Sequence, residues 1–417
     1  MKVFSKDAFK MADRFNRVFF TELALCVLLV INVFSQSFLD RFIPLPDLLF
    51  GVFLFLYLVV ASKWILRLSR GEALFILFIL FFSLLSVSFS EDRVYTLKRL
   101  FSLVTQTVTV PLLTLSVARR ASQNDLRSVL SSKLVKILLI VLGVSNIALM
   151  LVASLMKTFE IGGVEVGNYI SQRYFGFQNT PAFASGLSLC LLYCGFSSRG
   201  RFAIVWKLLS LLSVGLTYLL SEARAGLVAI VVFLACYLLL ALCKGKHLHR
   251  YVLGTIIFLG VVLLFCVIFR DRLDLDKLSS YRLSLWKIAL KNANPWLGNS
   301  ASFITIRTSA DIFEGGAHNA LIQFVYMCGW PATVALFGFV FARLGRALSG
   351  VRSMWLSGSQ YFGEYISLIS LAISIFAFCM FESHLLMVRC TISFMFFYAL
   401  YRIKLISMLL SSGKVEP

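Results

Sequence analysis

Residues 204–243 read IVWKLLSLLSVGLTYLLSEARAGLVAIVVFLACYLLLALC. Two apolar runs, Ile204 to Leu220 and Arg224 to Cys243, are separated by only Ser221-Glu222-Ala223. A bilayer core of about 30 Å needs roughly 20 apolar residues in helix, so each run is the length of one membrane crossing and the pair is a helical hairpin. Working outward with the same rule gives about twelve spans. The others are Val18 to Leu39, Pro46 to Ala61, Ala73 to Ser88, Leu100 to Ala118, Leu134 to Met156, Pro181 to Phe196, Tyr251 to Phe269, His318 to Ala342, Phe362 to Phe381 and His384 to Leu410. The expected fold is all-α, a polytopic membrane domain covering 1–417. It carries a smaller loop at 157–180 and a larger, partly helical one at 270–317.

Composition agrees with this division. Of 417 residues, 59% are hydrophobic and 14% charged, which excludes a water-soluble globule and a disordered chain. The excess of 40 Lys+Arg over 20 Asp+Glu would suggest nucleic acid in a soluble domain. Between apolar spans, basic residues record topology first. Lys2, Lys6, Lys10, Arg14 and Arg17 precede an apolar run too long for a signal-peptide core, so the first span is expected to stay uncleaved with its N-terminus in the cytoplasm. Alternate connections are then basic, for example Arg119, Arg120 and Arg127, or Arg343, Arg346 and Arg352, and the C-terminus is cytoplasmic as well. The 270–317 loop falls on the outer side and is nevertheless basic, which asks for another explanation. All nine cysteines lie in or beside apolar runs, so neither a disulfide framework nor a zinc site is expected.

Chemistry is therefore sought at the outer face. Ser279 and Ser280 can cap a helix running to about Asn292, ended by Asn294, Pro295 and Gly298. On it Ser284, Lys287 and Lys291 share one face, and Arg282 falls opposite with Trp286 and Ala289. Arg282 is thus expected to face protein or lipid headgroups; a cation snorkelling to phospholipid phosphate is the plainer reading. Arg224 opens a span at its first turn, where a cation opposes the helix dipole, so phosphate recognition and pairing with Glu222 both stay open. Arg173 precedes Thr180 and Pro181, an N-cap and first helical residue, and lies near the same surface.

His318-Asn319 follows Gly315-Gly316-Ala317 and opens the tenth span. A helix N-terminus disfavours imidazolium, so His318 is expected to be a neutral imidazole able to accept a proton; a histidine merely hydrogen-bonded at a helix start is the alternative. Guanidinium forks that grip a diphosphate, together with an imidazole that deprotonates a hydroxyl, make a coherent set. Asp274-Leu275-Asp276 has the look of a metal-dependent sugar transferase motif but lacks further ligands, and no metal is expected. His247 and His249 read as a solvated inner loop. Glu382 and His384 lie at an outer boundary, where a supporting and an interfacial role both stay open. Arg389, deeper in the last span, needs a partner or a snorkel. Glu22 and Glu364, near helix ends, are expected to reach water.

Four stretches in this order resemble the O-antigen ligase and polymerase superfamily. They are Arg173-Tyr174-Phe175-Gly176-Phe177-Gln178-Asn179-Thr180-Pro181, the turn Glu222-Ala223-Arg224-Ala225, the helix Tyr281-Arg282-Leu283-Ser284-Leu285-Trp286 with Asn294-Pro295-Trp296-Leu297-Gly298, and His318-Asn319. The resemblance covers roughly Arg173 to Glu382. It implies a bacterial inner-membrane enzyme with a periplasmic active site, moving a polysaccharide from undecaprenyl diphosphate to the lipid A core, with inversion and without metal or other cofactor. His318 would then be the base, Arg224 and Arg282 would bind the donor diphosphate, and Arg173 and Asn319 would support them. Ala223 stands where the family more usually has Ser, and Glu222 adds an acid beside the cation. The ligase is the nearer reading. The polymerase, which extends chains on the same carrier, is the alternative within the superfamily, and a transporter or lipid flippase is the alternative outside it. The gathering of polar groups at one face favours an enzyme.

Overall fold

The structure is a computed structural model that describes residues 22–34, 69–88, 110–111, 113–115, 133–156, 159–161, 164–166, 180–244, 282–299, 305–307, 312–314, 317–382 and 390–411. Its helices are α1 (Glu22–Phe34), α2 (Arg70–Ser88), α3 (Lys133–Met156), α4 (Pro181–Phe196), α5 (Ala203–Ser221), α6 (Arg224–Cys243), α7 (Arg282–Asn292), α8 (Ala320–Leu356), α9 (Phe362–Cys379) and α10 (Thr391–Ser411). Six of the described helices are long and apolar enough to cross a membrane: α3, α5, α6, α8, α9 and the Thr391–Leu409 part of α10. The chain is a helical protein of membrane-spanning type. The expected spans at 46–61 and 251–269, most of that at 100–118, and Arg173, His247, His249, Asp274, Asp276, His384 and Arg389 lie outside the described residues.

Two antiparallel hairpins interrupt the expected loops. β1 (Phe159–Ile161) pairs with β2 (Val164–Val166), and β3 (Thr305–Arg307) with β4 (Ile312–Glu314). Gly162-Gly163 between β1 and β2 is the sequence signal for the first, since a two-residue hairpin turn favours glycine.

The helix ends gather at two levels. At one end Lys136 Nζ lies 3.1 Å from Glu364 Oε2, Arg402 lies 3.6 Å from Glu364 Oε1, and the Tyr193 hydroxyl donates to that same Oε1 at 3.5 Å. Four helices, α3, α4, α9 and α10, thus converge on one carboxylate. Glu364 is 2% exposed, so the expectation that it reaches water is corrected: three donors enclose it. Lys244 covers the Trp355 ring at 4.2 Å and Arg199 the Tyr361 ring at 4.7 Å at the same end. The starts of α4, α6, α8 and α10 and the end of α9 lie at the other.

The path of α8 decides what happens there. Its second part runs antiparallel to α9: Trp355 packs on Phe362, the Tyr365 hydroxyl donates to Ala347 O at 3.0 Å, and Phe337 packs on Phe376. Extending that register puts Met380 opposite about residue 334. Yet Asn319 Nδ2 donates to Met380 O at 3.0 Å. In a straight helix Asn319 would lie about 22 Å beyond that level, so the first part of α8 must fold back across the end of α9.

It does so at Gly329 (φ 76°, ψ 175°), two residues before Pro331. An uninterrupted helix would join Trp330 N–H to Tyr326 O. Here Trp330 N–H donates to Pro295 O at 2.8 Å, and Tyr326 O accepts from Asn299 N–H at 2.7 Å. The 294–299 turn is thereby clasped into the kink. It is pre-shaped by Asn294, whose Oδ1 accepts from Trp296 and Leu297 N–H at 3.0 and 3.2 Å, and by Asn299, whose side chain accepts from Asn294 N–H and donates to Asn292 O. Two glycines allow the approach: a Cβ on Gly298 (φ 70°) would collide with the Met327 backbone, and one on Gly329 with the Trp296 carbonyl.

Gly298→Ala is therefore expected to destabilise by about 2 kcal/mol or more, combining a left-handed backbone with an overlap. Gly338→Ala, with nothing near its Cβ, should be neutral or slightly stabilising. Thermal unfolding of the two detergent-solubilised variants checks the contrast, and equal melting temperatures would refute it. Glu364→Ala leaves Lys136 and Arg402 facing each other without their shared anion; a loss of roughly 3–5 kcal/mol is expected, read as denaturant or thermal sensitivity.

Candidate functional site

The fold-back of α8 delivers a short segment whose polar groups are nearly all engaged. Asn319 is the N-cap of α8: its Oδ1 accepts from Leu321 and Ile322 N–H at 3.0 and 3.1 Å while its Nδ2 holds Met380 O. Ala317 N–H donates to Gln323 Oε1 at 2.6 Å, and Ala317 O accepts from Trp286 Nε1 at 2.7 Å. His318 lies between these two fixed residues. It precedes the N-cap rather than opening the helix, and it adopts a left-handed backbone (φ 47°) that is uncommon outside glycine. Such a conformation in a non-glycine residue survives only where its neighbours hold it, as Ala317 and Asn319 do here.

The His318 ring is turned toward Glu382, with Nδ1 3.1 Å from Oε2. Arg282 holds the other carboxylate oxygen, Oε1, at 3.2 Å through NH2, and donates through NH1 to Phe381 O. An ionised carboxylate only accepts hydrogen bonds, so the proton of a neutral His318 ring belongs on Nδ1 and the lone pair on Nε2. The side chain of His318 is 44% exposed and that of Glu382 only 12%. Among the described residues the carboxylate is thus flanked by Arg282 and His318, and the imidazole is the more open of these two groups.

Of the residues singled out in the sequence, Arg282, His318 and Asn319 are brought together within one patch at the end of α9. Arg282 turns inward with Trp286 and the buried Ala289, while Ser284, Lys287 and Lys291 are exposed, as the helical spacing predicts. Its engagement is with a carboxylate and a carbonyl. A guanidinium has five N–H donors, so groups remain for an anion beside these two partners. Arg224 begins α6, which packs antiparallel on α9 with Lys244 at the opposite end, and so lies at the level of Cys379 and Met380. It is exposed. Glu222 is the left-handed C-cap of α5 (φ 49°), its N–H on Tyr218 O.

Glu382 is the member whose role the sequence left open. Its signal is chemical: an acid at the end of an apolar span needs a cation, and helical spacing turns the Arg282 face inward. No protein-family model matches this chain, and no curated protein matches it.

Proposed function

We propose that the chain is a lipid-linked polysaccharide glycosyltransferase of the O-antigen ligase kind. It would move a polysaccharide from undecaprenyl diphosphate to a sugar hydroxyl of the lipid A core. The observation that carries this reading is the His318-Glu382-Arg282 cluster: an imidazole, half-exposed and held through Nδ1 by a carboxylate, at the rim of a helical bundle. The order of the four sequence stretches supports the substrate class.

In this reading the end with Lys136, Lys244 and Arg402 is cytoplasmic together with both termini, and His318 faces the periplasm of a bacterial inner membrane. His318 Nε2 takes the proton of the acceptor hydroxyl as its oxygen attacks the anomeric carbon. The bond from that carbon to the diphosphate oxygen breaks, and the electron pair leaves with the diphosphate, inverting the centre. Glu382 holds the ring in the reactive orientation and stabilises the imidazolium that forms. Arg224 and Arg282 offset the charge of the leaving diphosphate, Arg173 assists, and Asn319 holds the backbone of His318 in place. A diphosphate neutralised in this way needs no general acid. Both substrates reach the site sideways from lipid.

Purified protein supplied with lipid-linked polysaccharide and lipid A core, separately and together, tests the proposal. Product on lipid A core supports it; longer chains on the carrier would make the protein a polymerase; no product with either would return it to transport. His318→Ala should lower transfer by about 100-fold or more with insertion and donor binding retained. Glu382→Gln should lower kcat more than it raises the donor KM, whereas Arg224→Ala should chiefly raise the donor KM. Near-normal transfer by His318→Ala would remove the base assignment.

A further inference from the structure

The outward face of α7 is not used by the Glu382 cluster. We propose that this face lies in the membrane interface and binds anionic phospholipid headgroups, with Lys287 and Lys291 on the phosphates and Leu283, Leu290 and Trp296 among the upper acyl chains. The inference does not depend on the transfer chemistry.

Four observations converge on it. Around the α7 axis Leu283 and Leu290 project side by side, and Lys287 and Lys291 occupy the adjoining strip; all four are exposed. An apolar strip beside a basic strip on one short helix is the pattern of a segment lying in the plane of a bilayer surface. The level is also right. The register of α8 on α9 carries Trp330 about one turn beyond the last turn of α9, and the clasp sets the 294–299 turn against it. There Trp296 is 72% and Trp330 45% exposed. Two tryptophans, open to the surroundings at the height where a membrane helix ends, fit the aromatic belt between acyl chains and headgroups. Finally, residues 282–299 contain Arg282, Lys287 and Lys291 and no acid. Arg282 already pairs with Glu382, and neither lysine forms an ion pair among the described residues.

Charge selects the occupant. A zwitterionic headgroup answers the leucines and tryptophans equally well, but two lysines with no acidic neighbour on their helix favour a net negative one, each by about fivefold near an anionic surface. Because α7 also carries Arg282, the lipid beneath the helix would sit against the same element that holds Glu382.

The test uses the full chain in vesicles of phosphatidylcholine and phosphatidylglycerol at equal proportions, with one or the other lipid brominated high on its acyl chains. The fluorescence difference between the parent protein and Trp296→Phe reports on Trp296 alone. Brominated lipid is expected to quench this component and aqueous iodide to spare it. Brominated phosphatidylglycerol should quench more strongly than brominated phosphatidylcholine, and Lys287→Gln with Lys291→Gln should abolish the difference. Quenching by iodide and by neither lipid would place α7 in water or under a soluble partner and overturn the proposal. Equal quenching by the two lipids in the parent protein would overturn the headgroup assignment. Trp330→Phe gives the same reading from the other tryptophan should Trp296→Phe fail to fold.

Discussion

A helix that breaks inside a protein leaves a donor and an acceptor without their usual partners, and in this chain both are claimed by one turn. Trp330 N–H and Tyr326 O would bond to each other across an unbroken turn; they bond instead to Pro295 and Asn299. An unpaired backbone group in an apolar interior costs of the order of 1–3 kcal/mol, so neither the kink nor the turn is stable in its present form without the other. The clasp fixes two things at once. It folds Ala320 to Cys328 back over the end of α9, and it anchors the C-terminal end of α7. His318 precedes the first element and Arg282 begins the second, so the meeting of both at Glu382 follows from one set of backbone hydrogen bonds.

The two ends of α9 show how burial separates a carboxylate closed inside the bundle from one with a half-exposed partner. Glu364, near its start, gathers Lys136, Arg402 and the Tyr193 hydroxyl in a closed interior. Glu382, just past its end, gathers Arg282 and His318. The chemistry of the two carboxylates is the same. At Glu364 each cation belongs to a different spanning helix and none can leave without exposing charge to an apolar interior, so the network locks the bundle. At Glu382 one partner is an imidazole with its far nitrogen directed away from the carboxylate. That nitrogen can exchange a proton while the carboxylate keeps the ring oriented.

Among the described residues several helix limits were legible because lipid demands little besides apolar length. Pro181 to Phe196 and Arg224 to Cys243 are the observed limits of α4 and α6, and Thr180 caps α4 through its side chain as its position before Pro181 predicts. The reading failed where leaving lipid and ending a helix are different events. Ala342 closes the apolar run of the tenth span, but α8 continues to Leu356, carrying Arg343 over the Phe339 and Tyr401 rings at 5.2 and 5.5 Å. The inward face of Arg282 was legible from helical spacing alone. Its partner was not, because Arg282 and Glu382 meet only through the fold-back at Gly329. The local signal for that kink, Gly329-Trp330-Pro331, was present; the turn that completes it lies far upstream and carries no mark of its destination.

The position of the cluster follows from the same physics. A polar group within the span of a helix must be satisfied by neighbouring helices, as at Glu364, and is then closed to substrates. A polar group on a free loop is open but not held in place. The end of α9 avoids both outcomes. Met380 O and Phe381 O, carbonyls at the end of a helix, are taken by Asn319 and Arg282 respectively, so the groups that satisfy the helix terminus are the ones that flank His318 and hold Glu382. Rigidity is drawn from the helix end, while the imidazole itself stays 44% exposed beside the enclosed carboxylate.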